Sequence, residues 1–212
     1  MDKANQIETF NKFAQVSRET ISSLIKYEEI LIKSNKELNL IGKSTEESIW
    51  IRHFLDSAQV IDIIDKNYSI LVDLGSGAGF PGLVLSIIAK DRKIPFKFKL
   101  IEKSIKKTKF LKSIIDRFKL KVEVINKNIF DETEKIVGDV FIARAFKPLD
   151  IILQLMHNKT KKWQRILIFL GKNGKDQILQ ASKVWDMEYK QCMSITNDDS
   201  KIIEIIKLKK IN

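Results

Sequence analysis

The chain has a single cysteine, Cys192, and only two histidines, His53 and His157, in 212 residues. One cysteine excludes an internal disulfide framework and a thiolate-rich zinc site, and the histidines lie too far apart for a helical ligand pair, so no bound metal is expected. A reducing, cytoplasmic setting fits. No apolar run approaches the length needed to span a bilayer, and the start, Met1-Asp-Lys-Ala-Asn-Gln6, has no basic region followed by an apolar stretch. The expected protein is soluble and not exported, with no membrane partner. Internal repeats and low-complexity linkers are lacking too. Glycine occurs only eight times and proline three times, yet four of the glycines and one proline fall within Val72-Asp-Leu-Gly-Ser-Gly-Ala-Gly-Phe-Pro-Gly82.

What is present bounds the rest. The length suits one compact domain with an appended helical segment, and a 44% hydrophobic content is enough to bury a core. Basic residues outnumber acidic ones by 38 to 27, a formal charge of +11, which favours polyanionic partners through long-range attraction. A solvated lysine-rich surface gives the same charge, so charge alone does not assign RNA binding.

Between Ile7 and Leu38 the apolar positions Ile7, Phe10, Phe13, Val16, Ile21, Leu24, Ile25 and Leu31 recur at helical spacing and predict two helices, followed by a turn over Asn39 to Gly42. Ser44-Thr-Glu-Glu47 reads as a capped helix start, leading into a helix that carries Trp50, Ile51, Phe54, Leu55 and Val60. Beyond Asn67, short apolar runs alternate with amphipathic ones. Strands are expected over 69–74, 96–101, 122–125, 140–143 and 163–170, and helices over 82–89 and 104–118. That alternation implies parallel pairing through right-handed crossovers, and an open sheet covered on both faces. The end reads as a hairpin pairing 192–194 with 201–207 around Asn197-Asp-Asp-Ser200.

The glycine stretch joins a predicted strand to a predicted helix, where a strand's carboxyl end meets a nucleotide. Glycine lets the backbone approach a ligand closely, and the helix start offers free N–H groups. Its spacing has two readings. Gly77-x-Gly79-x-x-Gly82 matches the dinucleotide fingerprint, which points to an NAD-dependent oxidoreductase. Asp73-x-Gly75-x-Gly77-x-Gly79 places a carboxylate before the first glycine, which suits a cationic amino-acid moiety better than a pyrophosphate and favours S-adenosylmethionine. Asp73 would then help to hold the methionine ammonium through the loop or a water, or else simply tie down the turn. Glu102 ends the second strand, where an acid accepts ribose hydroxyls from either cofactor. A third reading is a module that binds cofactor or RNA without catalysis.

Arg52-His-Phe-Leu-Asp-Ser57, Asp73-Leu-Gly-Ser-Gly-Ala-Gly-Phe-Pro-Gly82, Lys106-Lys-Thr-Lys-Phe-Leu111 and Ala143-Arg-Ala-Phe146, in that order and preceded by Asn39-Leu40, resemble the glucose-inhibited division protein B family. Its members are bacterial methyltransferases that modify a guanine at N7 in 16S, the small-subunit ribosomal RNA. The resemblance covers most of residues 35 to 175. It implies an α/β, class I (Rossmann-like) S-adenosylmethionine-dependent methyltransferase fold: a mostly parallel seven-stranded sheet flanked by helices, with an N-terminal helical extension. Residues 1–66 would form a helical cap and residues 67–212 the methyltransferase domain, together one compact unit acting as a monomer.

Carried over by position, the cofactor site would comprise Asp73, Gly75, Ser76, Gly77, Gly79, Phe80, Glu102, Asn128, Ile129 and Arg144. Glu102 would take the ribose, and Arg144 would reach cofactor or RNA. Two positions depart from the family. Lys127-Asn-Ile-Phe130 stands where an Arg-x-Glu stretch is frequent, so Asn128 and Ile129 would meet the adenine mainly through backbone. Lys106-Lys107 replaces the usual Lys-Arg, keeping charge but losing a planar donor fork.

The implied partner is small-subunit ribosomal RNA, free or in the assembled small ribosomal subunit, and the cofactor product is S-adenosylhomocysteine. Arg52, His53, Arg144 and Lys147 are candidates for RNA contact near the site, with Lys106, Lys107 and Lys109 as a flanking phosphate stripe. Phe80 or Phe146 would stack on an unstacked base, although Phe146 reads equally as core and His53 as a helix cap. Methylation of an exocyclic amine is disfavoured because Pro81, Pro95 and Pro148 form no Pro-Pro-aromatic loop after the fourth strand. Attack at cytosine C5 is disfavoured because Cys192 lies far downstream with no activating base. Guanine N7 has a free lone pair in the ring plane and no proton to lose, so direct transfer needs positioning and electrostatics but no catalytic acid or base.

Overall fold

The alternation expected after Asn67 forms a seven-stranded sheet in a computed structural model that describes residues 1–211. Its strands are β1 (Ile70–Leu74), β2 (Lys97–Ile101), β3 (Val122–Ile125), β4 (Val140–Arg144), β5 (Arg165–Leu170), β6 (Trp185–Ser194) and β7 (Asn197–Lys210). They lie in the order β3-β2-β1-β4-β5-β7-β6. The first five are parallel. β7 runs antiparallel between β5 and β6, so the sheet is mixed where alternation alone predicted parallel pairing.

Because β1 and β4 are neighbours, the connection leaving β1 toward β2 and the one leaving β4 toward β5 diverge and open a crevice at the strands' carboxyl ends, where open α/β sheets bind ligands. The register matches Leu74 with Ile101, which brings the loop after β1 beside the end of β2. Gly75 and Ser76 both donate backbone N–H bonds to the Ile101 carbonyl, at 2.9 and 3.1 Å.

One face of the sheet carries α4 (Gly82–Asp91) and α5 (Ile105–Phe118). α4 is buried from Gly82 to Ala89, because a second helical layer covers the side turned away from the sheet. That layer is α1 (Lys3–Ala14) and α2 (Arg18–Leu38), whose Phe10, Leu24, Tyr27 and Leu31 are fully buried in the same core as Leu83, Leu85 and Ile88. Asp2 and Ser17 cap the two helices by accepting from the N–H groups of Asn5 and Thr20. Asn39 ends α2 in the left-handed conformation, at the expected turn. The opposite face is covered by α6 (Leu149–Lys159) and α7 (Gly174–Ala181), two helices the sequence reading did not identify.

Two local expectations are overturned. The helix expected to start at Ser44 is a tight 3-10 stretch over Lys43–Ser48, a π turn over Trp50–Leu55 and α3 (Asp56–Ala58), and no side chain caps its start. Its polar side chains are used elsewhere: Glu46 accepts from Asn35 Nδ2 at 2.6 Å, and the Thr45 hydroxyl is 2.9 Å from His53 Nε2. The terminal hairpin turns at Ile195-Thr196 instead of 197–200, and Asn197 already belongs to β7. Tertiary bonds select that turn, since Ile195 donates its N–H to Gln59 Oε1 at 3.0 Å and Thr196 donates its hydroxyl to Asp56 at 2.8 Å. Among the described residues no helix is long and apolar enough to cross a membrane.

Tyr27 links the helical layer to the glycine loop by donating its buried hydroxyl to the Ala78 carbonyl. Replacing it in Tyr27→Phe leaves that buried carbonyl without its partner, and a loss of about 1–2 kcal/mol is expected in denaturant unfolding.

Candidate functional site

The loop after β1 is left-handed at three glycines, Gly75, Gly77 and Gly79, with φ of 70°, 56° and 92°. Gly75 has a second reason to lack a side chain, because a Cβ there would lie 2.2 Å from the Phe146 ring. Beneath the loop Asp73 is 2% exposed. Its Oδ2 accepts the Gly82 N–H at 3.1 Å, while Oδ1 is buried with no hydrogen-bond partner. Burial raises its carboxyl from the ordinary range to about 7, partly offset by the Gly82 N–H. A Cβ on Gly82 would sit 2.7 Å from that carboxylate, so the last glycine makes room for Asp73. The N–H that a dinucleotide pyrophosphate would need at this helix start is therefore already taken by an acid.

Glu102, 7% exposed at the end of β2, faces the loop. Its Oε2 accepts the Gly77 N–H at 3.0 Å and its Oε1 the Ser104 N–H at 2.8 Å. Asn128 and buried Ile129 continue this wall, with the Asn128 side chain turned to Asp131 at 2.8 Å. These groups border a cleft of about 790 Å³, large enough for a nucleoside cofactor together with a base.

The facing wall is built from three distant parts of the chain. Arg144, at the end of β4, donates from Nε to Asp56 Oδ2 at 2.7 Å and from an amino group to the Arg52 carbonyl at 2.6 Å. Asp56 Oδ1 also accepts from Ser194, Thr196 and Gln59, which ties the π turn to the terminal hairpin. His53 stacks on Phe80 with ring centroids 4.9 Å apart. Burial, with the Arg144 charge next, lowers its imidazole to about 3, so the ring is neutral across the physiological range. The residue after Arg144, Ala145, is itself left-handed at φ 50°, a conformation that costs an alanine energy and turns Phe146 back over Gly75.

Most residues anticipated from the sequence meet here. Gly75, Ser76, Gly77, Phe80, Glu102, Asn128, Ile129 and Arg144 border the cleft, as do Arg52, His53, Lys107, Phe146 and Lys147. Asp73 and Gly79 lie behind its lining as supports. Lys106 and Lys109 are exposed on α5 outside the cleft. Phe80 is 5% exposed and packed among His53, Tyr27 and Phe54, whereas Phe146 is half-buried and stacked on Phe130. Phe146 is thus the more open ring.

The GidB family model, described as rRNA small subunit methyltransferase G, matches residues 20–206. The chain belongs to that family. It is 39% identical over 203 residues to ribosomal RNA small subunit methyltransferase G of Pelagibacter ubique, covering 95% of each chain. Against the protein of the same name from Rickettsia akari the identity is 36% over 199 residues, covering 93% of this chain and 99% of the relative. Among solved structures, M. capricolum TrmK in complex with S-adenosylhomocysteine shares the fold, with a TM-score of 0.54 and 19% identity over 71% of this chain and 67% of that one. Family membership makes the chain an S-adenosylmethionine-dependent methyltransferase, which sets aside the oxidoreductase and the non-catalytic module.

Sequence reasoning passed over Asp56 as a hub, although it lay inside the quoted Arg-His-Phe-Leu-Asp-Ser segment. It also passed over Ser194 and Thr196, whose roles arise only when the hairpin returns to the π turn. Tyr27 carried no signal beyond helical spacing.

The raised carboxyl of Asp73 has a thermodynamic consequence. Between about pH 4 and 7 the folded chain keeps a proton that the unfolded chain releases, so stability falls as pH rises through that window and levels off above it. Asp73→Asn is expected to flatten this slope and to exceed the parent protein in stability at pH 8, by up to a few kcal/mol in urea titrations across pH.

Proposed function

We propose that the cleft transfers a methyl group from S-adenosylmethionine to N7 of a single guanine in 16S ribosomal RNA, by direct in-line transfer without a general base. The observation that carries this reading is that every acid and imidazole at the cleft is already engaged. Asp56 is held by Arg144, Ser194 and Thr196, Glu102 by two backbone N–H groups, and neutral His53 sits against Thr45 and Phe80. A reaction that must remove a proton would draw on groups already committed to structural hydrogen bonds, whereas a ring nitrogen with an in-plane lone pair needs no base.

The residues suit such a cofactor. Glu102 retains acceptor capacity for ribose hydroxyls beyond the two N–H bonds it receives, and the Asn128-Ile129 backbone borders the position expected for the adenine. The unpartnered Asp73 Oδ1 leaves an acceptor beneath the glycine loop, and a methionine ammonium nearby would favour the ionised form of this carboxyl over the protonated one. When bound, S-adenosylmethionine supplies a methyl group on a positively charged sulfur, and the nitrogen–carbon bond forms as the carbon–sulfur bond breaks. Phe146 offers a ring against which the flipped base stacks, and Arg144, neutralised by Asp56, donates toward phosphate or guanine O6 while N7 stays open. Arg52, Lys107 and Lys147 at the rim, with Lys106 and Lys109 beyond it, attract the RNA backbone. Residues 1–66 act as a cap that stiffens the loop through Tyr27.

Radiolabelled S-adenosylmethionine and small ribosomal subunits lacking the modification test the reading. Label is expected at one guanine, released by the mild depurination chemistry of N7-methylguanine; label on an exocyclic amine or a pyrimidine would overturn it. Glu102→Ala removes a charged acceptor, and calorimetry should show S-adenosylmethionine binding weakened about tenfold to a hundredfold.

A further inference from the structure

Beside the cleft, between the β3–β4 connection and α6, lies a second groove of about 560 Å³. The two chambers share Phe130 and Lys147, which stand between them. Phe130 is 36% exposed, and its ring stacks on Phe146 at 6.0 Å between centroids with the planes 14° apart. The Lys147 ammonium lies 5.9 Å from the Phe130 centroid. The floor is Pro148, Ile151 and Leu155, and the exposed amides of Gln154 and Asn158 stand along the side.

We propose that this groove is an RNA subsite that receives an unpaired base next to the target guanine in the same strand; the inference rests on the RNA-methylating reading of the cleft. An apolar floor with one open aromatic ring suits the face of a base, and side-chain amides provide both donors and acceptors for its edge. A lysine ammonium at the mouth suits the phosphate that links two nucleotides, on a chain whose formal charge is +11. Aromatic stacking tolerates any base, so the groove contributes affinity and register while the cleft selects the guanine. A target nucleotide that leaves its stack uncovers one face of its neighbour, and the aromatic ring between the chambers gives that face a surface to pack on.

The test compares Ile151→Glu, which puts a charge on the groove floor, and Asn158→Asp, a surface change that leaves packing alone, with the parent protein. Three quantities are measured: affinity for a short unpaired oligoribonucleotide containing one guanine, kcat and KM on small ribosomal subunits, and the Kd of S-adenosylmethionine. Both variants are expected to weaken oligonucleotide binding, Ile151→Glu by about tenfold or more, and to raise KM with kcat and the cofactor Kd unchanged. Parent-like oligonucleotide affinity in both variants, or no binding by the parent protein, overturns the subsite. A parent protein that binds RNA through the groove yet methylates no guanine N7 overturns the acceptor assignment and leaves the groove standing.

Discussion

The ion pair between Asp56 and Arg144 is the contact on which the shape of the cleft depends. It joins residues 88 positions apart, and the same carboxylate gathers Ser194 and Thr196 from the far end of the chain. Both side chains are mostly buried, at 14% and 17% exposure. A buried pair of this kind repays its desolvation only when the remaining lone pairs are also satisfied, and here Asp56 accepts from four side chains. Its contribution is therefore better understood as geometric: it sets the π turn, the end of β4 and the hairpin tip around one space. The glycine loop on the other side is set independently, by Asp73 beneath it and by Glu102 beside it.

The two walls differ in how far they were legible from sequence. The loop wall is local: a strand, a run of glycines, a helix and the acid at the next strand's end follow one another, and each residue type has a backbone reason that reads at short range. Uniform burial of α4 was likewise written in Gly82-Leu-Val-Leu-Ser-Ile-Ile-Ala89, which has no polar face to give to water. The Asp56 wall is assembled from segments whose neighbours in sequence are not their neighbours in space. Asn197-Asp-Asp-Ser200 carries turn residues, yet the turn forms just before it because Gln59 and Asp56 bind Ile195 and Thr196. Thr45 and Glu46 have the composition of a helix cap, yet neither accepts a backbone N–H of the helix start: Glu46 accepts from Asn35, and Thr45 donates to the Gly42 carbonyl and meets His53. Tertiary polar partners override local preference at both places, and both border the cleft.

Charge explains why the second wall is built as a neutral network. In the proposed reaction the positive charge leaves sulfur and arrives on the guanine ring, so an unpaired cation next to the base would oppose the transfer by direct repulsion. Arg144 avoids this because Asp56 sits 2.7 Å from its Nε, which leaves a rigid donor with little net field. His53 avoids it by remaining uncharged, a consequence of burial and of the same Arg144. The strongly basic character of the chain is kept at the rim and on α5, where Lys103, Lys106, Lys107, Lys109 and Lys127 face solvent or line the cleft's edge. Attraction for a polyanion and tolerance of a newly formed cation are thus separated in space. The ion pair that shapes the cleft is also the one that allows an arginine to stand inside it.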